Sequence, residues 1–310
     1  MAPKLAAREP NKENVSRVVT PYLFLAPFFI LFGIFVGYPT VSALLVSFQG
    51  ADLWESRGWV GVANFLALAE DPFFHAALRN TAFFVAVSLL VIVPVSLLLA
   101  LLVRPMWIKG GPAFRIFLVA PAVIIPVVAV IVFQILLGPD GLLNAGILLV
   151  FSEYEPIAWL SDPAWARWSV ALMFVWRWTG FTMIYFVAGL SNVSKELEEA
   201  SLVDGASAWR QFWSVTWPQL HAIRVLVLVL VLQGSAQIFD EPILVAGGSG
   251  PGPERTLITL TMYVYTKAFS QGNIGQANAA AIVLLLVVVG SILVALAVNP
   301  DPTNAKRFRK

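Results

Sequence analysis

Arg177, flanked by Trp176 and Trp178, and the adjacent Asp240 and Glu241 stand several residues inside stretches apolar enough to lie in a bilayer. Ionisable groups are expensive to hold in hydrocarbon, so each marks either a pathway or a pairing. Gln134, Gln233, Gln237 and Asn278 add amides within neighbouring apolar runs. A cavity lined by a few such donors and acceptors and by indole rings suits a sugar or polyol, whose hydroxyls need partners and whose C–H faces pack on aromatics. The same residues also allow a plainer arrangement, in which Arg177 pairs with Asp240 or Glu241 to join two helices and the tryptophans form an interface belt. Pro242 is expected to interrupt its helix and free carbonyls that need polar surroundings, which favours a water-filled path beside Asp240. Mixed charge without surplus cation favours a neutral solute over a phosphorylated one.

Other chemistry finds little support. There is no Cys, and two histidines, His75 and His221, are too far apart in sequence to suggest a zinc motif. Gly247–Gly252 is glycine-rich but contains no Gly-Lys-Ser/Thr and follows an apolar run, so it reads as a flexible turn rather than a phosphate loop. Glu196, Glu198 and Glu199 are expected to form a solvated face rather than a catalytic acid pair. An embedded enzyme would need a clustered acid, nucleophile or metal site, and none is visible.

The elements that must position these residues are membrane helices. Of 310 residues 59% are hydrophobic and only 12% charged, and the mean hydropathy of +0.81 excludes a soluble globular domain. At about 20 apolar residues per crossing, the chain predicts six spans: Pro21–Phe48, Thr81–Val103, Ile116–Gly138, Trp168–Leu190, Ile223–Ala246 and Ala277–Val298. Pro27, Gly33, Gly37 and Pro39 are expected to bend the first. The polar run Met1–Thr20 precedes an apolar segment too long for a signal peptide, which predicts a retained span. Leu142–Phe151 is too short to cross and reads as a re-entrant or surface helix. Lys4, Arg8, Lys12 and Arg17, then Arg104, Lys109 and Arg115, then Lys306, Arg307, Arg309 and Lys310, belong inside by the positive-inside rule. Asp52, Glu55, Glu70 and Asp71, and later Asp140, Glu153, Glu155 and Asp162, belong outside. Both termini and the 191–220 loop are then cytoplasmic.

That loop is polar and broken by glycine. Ser194 is suited to cap a helix whose first turns carry Glu196, Glu198 and Glu199, where the dipole favours anions. Asp204-Gly205 predicts its end, since Gly accepts the left-handed conformation at low cost. A second helix from about Ser207 places Trp209, Phe212, Trp213 and Thr216 at three- and four-residue spacing, and Pro218 is expected to halt it. Taken alone, the second helix also fits one lying on the membrane with its aromatics down.

The spacing Glu199-Ala200-Ser201, then Gly205, then Val215-Thr216-Trp217-Pro218 resembles the cytoplasmic coupling loop of bacterial ABC importer permeases, with Ser201 at the third small position and Trp217 in place of Leu. Val203-Asp204-Gly205-Ala206 lies inside it. The resemblance extends along nearly the whole chain, to the carbohydrate-type, maltose-transporter permease family. Tyr38-Pro39 with Ser47-Phe48, Gly61-Val62-Ala63-Asn64-Phe65, Asn80-Thr81, Phe239-Asp240, Gly247-Gly248 before Pro251, Thr256 and Tyr263 fall in the order of that family.

The resemblance implies an all-α polytopic fold of the type I importer. Its parts would be a cytoplasmic tail 1–20, a first span 21–48 wrapping onto a partner, a core 77–298 containing loop 191–220, and a basic tail 299–310. It implies that Glu199, Ala200, Ser201, Asp204, Gly205, Ala206, Trp209, Val215 and Pro218 serve coupling to an ATPase. Partners would be a second homologous permease, two ATP-binding subunits carrying ATP and Mg, an external solute-binding protein and membrane lipid, without nucleic acid. The chain itself would hold no cofactor and catalyse nothing, and it would sit in a bacterial or archaeal inner membrane. Glycerol 3-phosphate is the alternative solute. An ion-coupled secondary transporter is the alternative of another class, but it would show inverted repeats and would need no docking knuckle.

Overall fold

A computed structural model describes residues 12–52, 56–103, 111–248 and 250–299. Lys4, Arg8, Arg104, Lys109, Lys306, Arg307, Arg309 and Lys310, on which the expected orientation rests, lie outside the described residues with Glu55 and most of both tails. Six segments among the described residues are long and apolar enough to cross a membrane: Thr20–Val46, Pro72–Leu102, Pro126–Val150, Ala166–Ser191, His221–Val245 and Ile274–Val298.

Two of the expected spans are not continuous helices. The third is split into Gly111–Val123 and Pro126–Leu137, with Ile125 extended at φ −59 and ψ 136. Pro126 explains the break, because its ring disfavours the helical conformation of the residue before it. The chain then turns at Gly138–Gly141 and returns as Leu142–Val150, packed on Pro126–Leu137. This short helix packs beside the third span without extending it, and the expected span Ile116–Gly138 covers both halves of the broken helix before it. The fifth span runs as His221–Ala236, breaks at Gln237–Phe239 and resumes as Asp240–Val245. The break falls where Pro242 is expected to interrupt the helix: Pro242 has no N–H for the Ile238 carbonyl four residues back, and it sits in the first turn of the second piece, where a missing N–H leaves no bond unmade.

Prolines are accommodated elsewhere by widening the helix. Gly33–Gly37 is a π-helical turn followed by Tyr38-Pro39, and Phe212–Thr216 is another followed by Trp217-Pro218. A proline ring clashes with the carbonyl four residues back. Shifting that turn to i→i+5 bonding moves the carbonyl aside and lets the helix run on. Pro218 thus continues its helix to Gln219 rather than halting it.

Spans two, four and five pack into one core around Phe84, Ile92, Met183, Phe186, Val227 and Val231, all nearly solvent-free. Span one touches span six through its second half but buries none of its most apolar window. On the side away from the 194–218 knuckle, three polar residues pin the loops. Asn64 Nδ2 donates to the Ser47 and Gln49 carbonyls (2.8 and 2.9 Å), beside a small hairpin of Gln49–Ala51 and Ser56–Trp59. Asn80 Nδ2 donates to the Arg255 and Ile258 carbonyls (2.8 and 2.9 Å), and Thr81 Oγ1 accepts from the Leu260 N–H (2.9 Å).

The first half of span three lies against span four at Gly180, where an added Cβ would fall 1.7 Å from the Leu118 carbonyl oxygen. Small residues at such crossings let backbones approach. Gly180→Ala forces the two helices apart and is expected to cost about 1–3 kcal/mol, read as a lowered melting temperature of the purified protein in detergent. An unchanged melting temperature would contradict the contact.

Candidate functional site

The polar knuckle forms as its sequence dictates. Ser194 Oγ accepts from the Leu197 N–H (3.3 Å) at the start of Lys195–Val203, and Glu196 and Glu198 occupy the first turn. Gly205 closes this helix at φ +75, with the Ala206 N–H donating to the Ser201 carbonyl (2.9 Å). Ser207 Oγ then accepts from the Arg210 N–H (3.4 Å) to open Ala208–Gln211. Glu198 braces the two arms: its carbonyl accepts from Gln211 Nε2 (3.0 Å) and its carboxylate from Thr216 Oγ1 (3.4 Å).

Glu199, Ala200, Asp204 and Gly205 are exposed, Ser201 and Ala206 are half-buried, and Val203 and Trp209 are 88% and 73% exposed. The aromatics do not share one face with Thr216. Thr216 is buried, while Trp209, Trp213 and Trp217 form an outer ladder with ring centroids 5.6 and 5.2 Å apart. Val215 and Pro218 are half-buried behind that ladder.

Arg177 sits at the junction of both broken helices. Its Nη1 is paired with Glu241 Oε1, and its Nη2 donates to the Ile124 carbonyl (3.3 Å) at the break in span three. Both side chains are almost solvent-free, at 8% and 3% exposure. The carbonyl exposed at the break in span five, that of Ile238, accepts from Thr259 Oγ1 (2.9 Å). Helix ends inside a bilayer are tolerated only where such partners exist. The charge partner is thus Glu241, one residue beyond the acid expected to face a path. Asp240 is exposed and carries no ion pair among the described residues.

The expected lining residues separate into two groups. Trp178 and Gln237 line a cavity of about 410 Å³ between spans two, four and five, together with Phe174, Phe181, Thr182, Tyr185, Gln233 and Gly234. Trp176, in contrast, points to the third span and meets Phe133 edge-on at 5.5 Å. Gln134 is exposed on Pro126–Leu137, and Asn278 donates to the Ile274 carbonyl of its own helix (2.8 Å), so neither reaches the cavity. Sequence reasoning missed Phe174, Phe181, Thr182 and Tyr185, although with Trp178 they recur at three- and four-residue spacing on one helical face. Phe174, Trp178, Phe181 and Tyr185 run down the wall with successive centroids 6.1, 5.8 and 5.5 Å apart. The Trp178 indole N–H is shielded and has no partner among the described residues.

Six segments long and apolar enough to cross a membrane, with one buried ion pair where two of them break and a polar–aromatic cavity between three of them, define a polytopic helical membrane protein. The chain belongs to the family of binding-protein-dependent transport system inner membrane components, which matches residues 68–300. It is 34% identical to the arabinooligosaccharides transport system permease protein AraP of Bacillus subtilis, over 91% of this chain and 88% of that one. It is 32% identical to the lactose transport system permease protein LacF of Rhizobium radiobacter (89% and 92%), and 29% identical to the sn-glycerol-3-phosphate transport system permease protein UgpA of Brucella abortus (90% and 92%). A chain of a bacterial ABC transporter that imports the acidic polysaccharide alginate superposes with a TM-score of 0.78 at 25% identity, covering 91% of this chain and 96% of that one.

Removing one member of a buried ion pair leaves its partner charged and costs about 3–5 kcal/mol. Arg177→Met and Glu241→Gln should each lower the melting temperature strongly, and the double variant should recover most of the loss. Asp240→Asn should stay within about 0.5 kcal/mol of the parent. An Asp240 variant as damaging as the Glu241 variant would refute the pairing.

Proposed function

We propose that this chain is a permease subunit of an ATP-driven, binding-protein-dependent importer, that its aromatic cavity is part of the path of a neutral sugar or oligosaccharide, and that its knuckle docks on separate ATPase subunits. The observation that carries the solute reading is the cavity: four aromatic rings face Gln233, Gln237 and Thr182, and among the described residues no ionisable acid or base lines it beyond the Tyr185 phenol. Rings offer faces to sugar C–H groups and amides serve hydroxyls. A phosphate ester would require cationic donors. Arg177 does not supply them, because Glu241 and the Ile124 carbonyl already engage it. Relatives named for arabinooligosaccharides and lactose agree with this reading; the relative named for sn-glycerol 3-phosphate marks the alternative.

Coupling rests on the knuckle's form. Val203 and Trp209 project from a turn fixed by Gly205 and braced by Glu198, a compact convex shape suited to a cleft on another protein. Glu199, Ala200, Ser201, Asp204 and Ala206 complete that surface, and Val215 and Pro218 support it from behind. ATP and Mg would be bound by the partners. A second homologous permease, an external solute-binding protein and a cytoplasmic position for both termini complete the assembly we envisage.

The test uses the complete transporter in proteoliposomes with its binding protein, given neutral oligosaccharides or glycerol 3-phosphate. Trp178→Ala and Gln237→Ala are expected to lower oligosaccharide uptake about tenfold, equivalent to about 1.4 kcal/mol of lost solute interaction. Gly205→Val, strained at positive φ, is expected to abolish solute-stimulated ATP hydrolysis while the subunit still assembles. Parental uptake in both cavity variants, or glycerol 3-phosphate as the transported solute, would refute the solute reading. Normal stimulation in Gly205→Val would refute the docking role.

A further inference from the structure

A second cavity, about 730 Å³, opens between Gly111–Val123 and the last turns of span four, on the knuckle side of the molecule. Its walls are Ile116, Val119, Ala120, Ile124, Ile184 and Val187, and the one charged residue lining it among the described residues is Arg115. Arg115 Nη2 donates to the Val103 carbonyl (3.1 Å), the residue that caps the end of span two. The guanidinium is thereby fixed at the end of span two. Its Nε is shielded and has no partner among the described residues. No Asp or Glu occurs between Asp71 and Asp140, whereas Arg104 and Lys109 precede Arg115 in the same loop sequence.

We propose that this groove is a binding site for an anionic phospholipid, with the phosphate at Arg115 and an acyl chain along the wall. Ile116 to Ile124 spans about 12 Å at 1.5 Å per residue, close to one leaflet of a hydrocarbon core about 30 Å thick. An apolar helix from another subunit would fill the groove but leave the half-buried Arg115 guanidinium, held at the neutral Val103 carbonyl, without a counter-charge. A phosphodiester satisfies both the groove and the cation, and basic pockets between membrane helices take up anionic headgroups in this way.

The test uses the complete transporter in detergent, stripped of lipid and titrated with dioleoyl-phosphatidylglycerol or dioleoyl-phosphatidylcholine, with bound lipid counted by native mass spectrometry. The expected result is retention of phosphatidylglycerol about fivefold tighter than phosphatidylcholine, the effect of one cation near an anionic group. Arg115→Gln should abolish the preference and Arg115→Lys should keep it, the latter deciding the charge requirement if the neutral variant fails to assemble. Ala120→Phe, which fills the groove, should lower retention of both lipids while the permease pair still forms. Equal retention of the two lipids by the parent, or loss of the preference in Arg115→Lys, would overturn the proposal. Failure of Ala120→Phe to associate with its partner permease would also overturn it, assigning the groove to a protein helix.

Discussion

One guanidinium holds the middle of this molecule together. Arg177 reaches from an unbroken helix to Glu241 at the restart of span five and to the Ile124 carbonyl at the break of span three. Breaks expose backbone groups that hydrocarbon cannot satisfy, so the two interrupted helices depend on partners supplied by other elements. An apolar pair of similar volume would often pack as stably as a buried ion pair. It would not cap a carbonyl. Charge is therefore retained here to permit irregular backbone inside the membrane, and irregular backbone is what bends the walls around a cavity.

Span four carries the rest of the account. One of its faces holds Arg177 and the Gly180 contact with Leu118; another presents Phe174, Trp178, Phe181 and Tyr185 to the cavity. Its end leads directly into the knuckle, where the Ser194 N–H donates to Gln219 Oε1 (3.1 Å) and Gly189 packs against Ile223 and Leu220. On our reading, a displacement of the knuckle by an ATPase moves spans four and five together, and these two spans contribute most of the cavity wall.

Local signals in the sequence foretold local structure. Ser194, Ser207 and Gly205 cap and turn as their chemistry requires, and the ends of spans two, four and six fall within a turn or so of expectation, save the longer outer end of span two. The readings that failed depended on distant partners. A uniformly apolar run on both sides of Ile125-Pro126 gives no sign that a carbonyl there will be met by an arginine 53 residues later. Pro218 stops a helix by the local rule, yet a widened turn before it removes the clash. The choice between Asp240 and Glu241 was equally hidden, because it turns on where the helix restarts after Gln237–Phe239. The amides were misplaced for a related reason: Gln134, Gln237 and Asn278 all fall within expected spans, and only packing decides which one meets the cavity.

On our reading, Gln237 faces a solvated path whose access changes as the transporter works. The chain contains no Cys, so single cysteines at Gln237 and Asn278 report cleanly in the complete transporter. A small hydrophilic thiol reagent should modify Gln237→Cys at a rate that changes when ATP and loaded binding protein are supplied. Asn278→Cys, away from the cavity, should react slowly and without regard to nucleotide. An inert Gln237→Cys, or equal and nucleotide-independent rates at the two positions, would contradict the account.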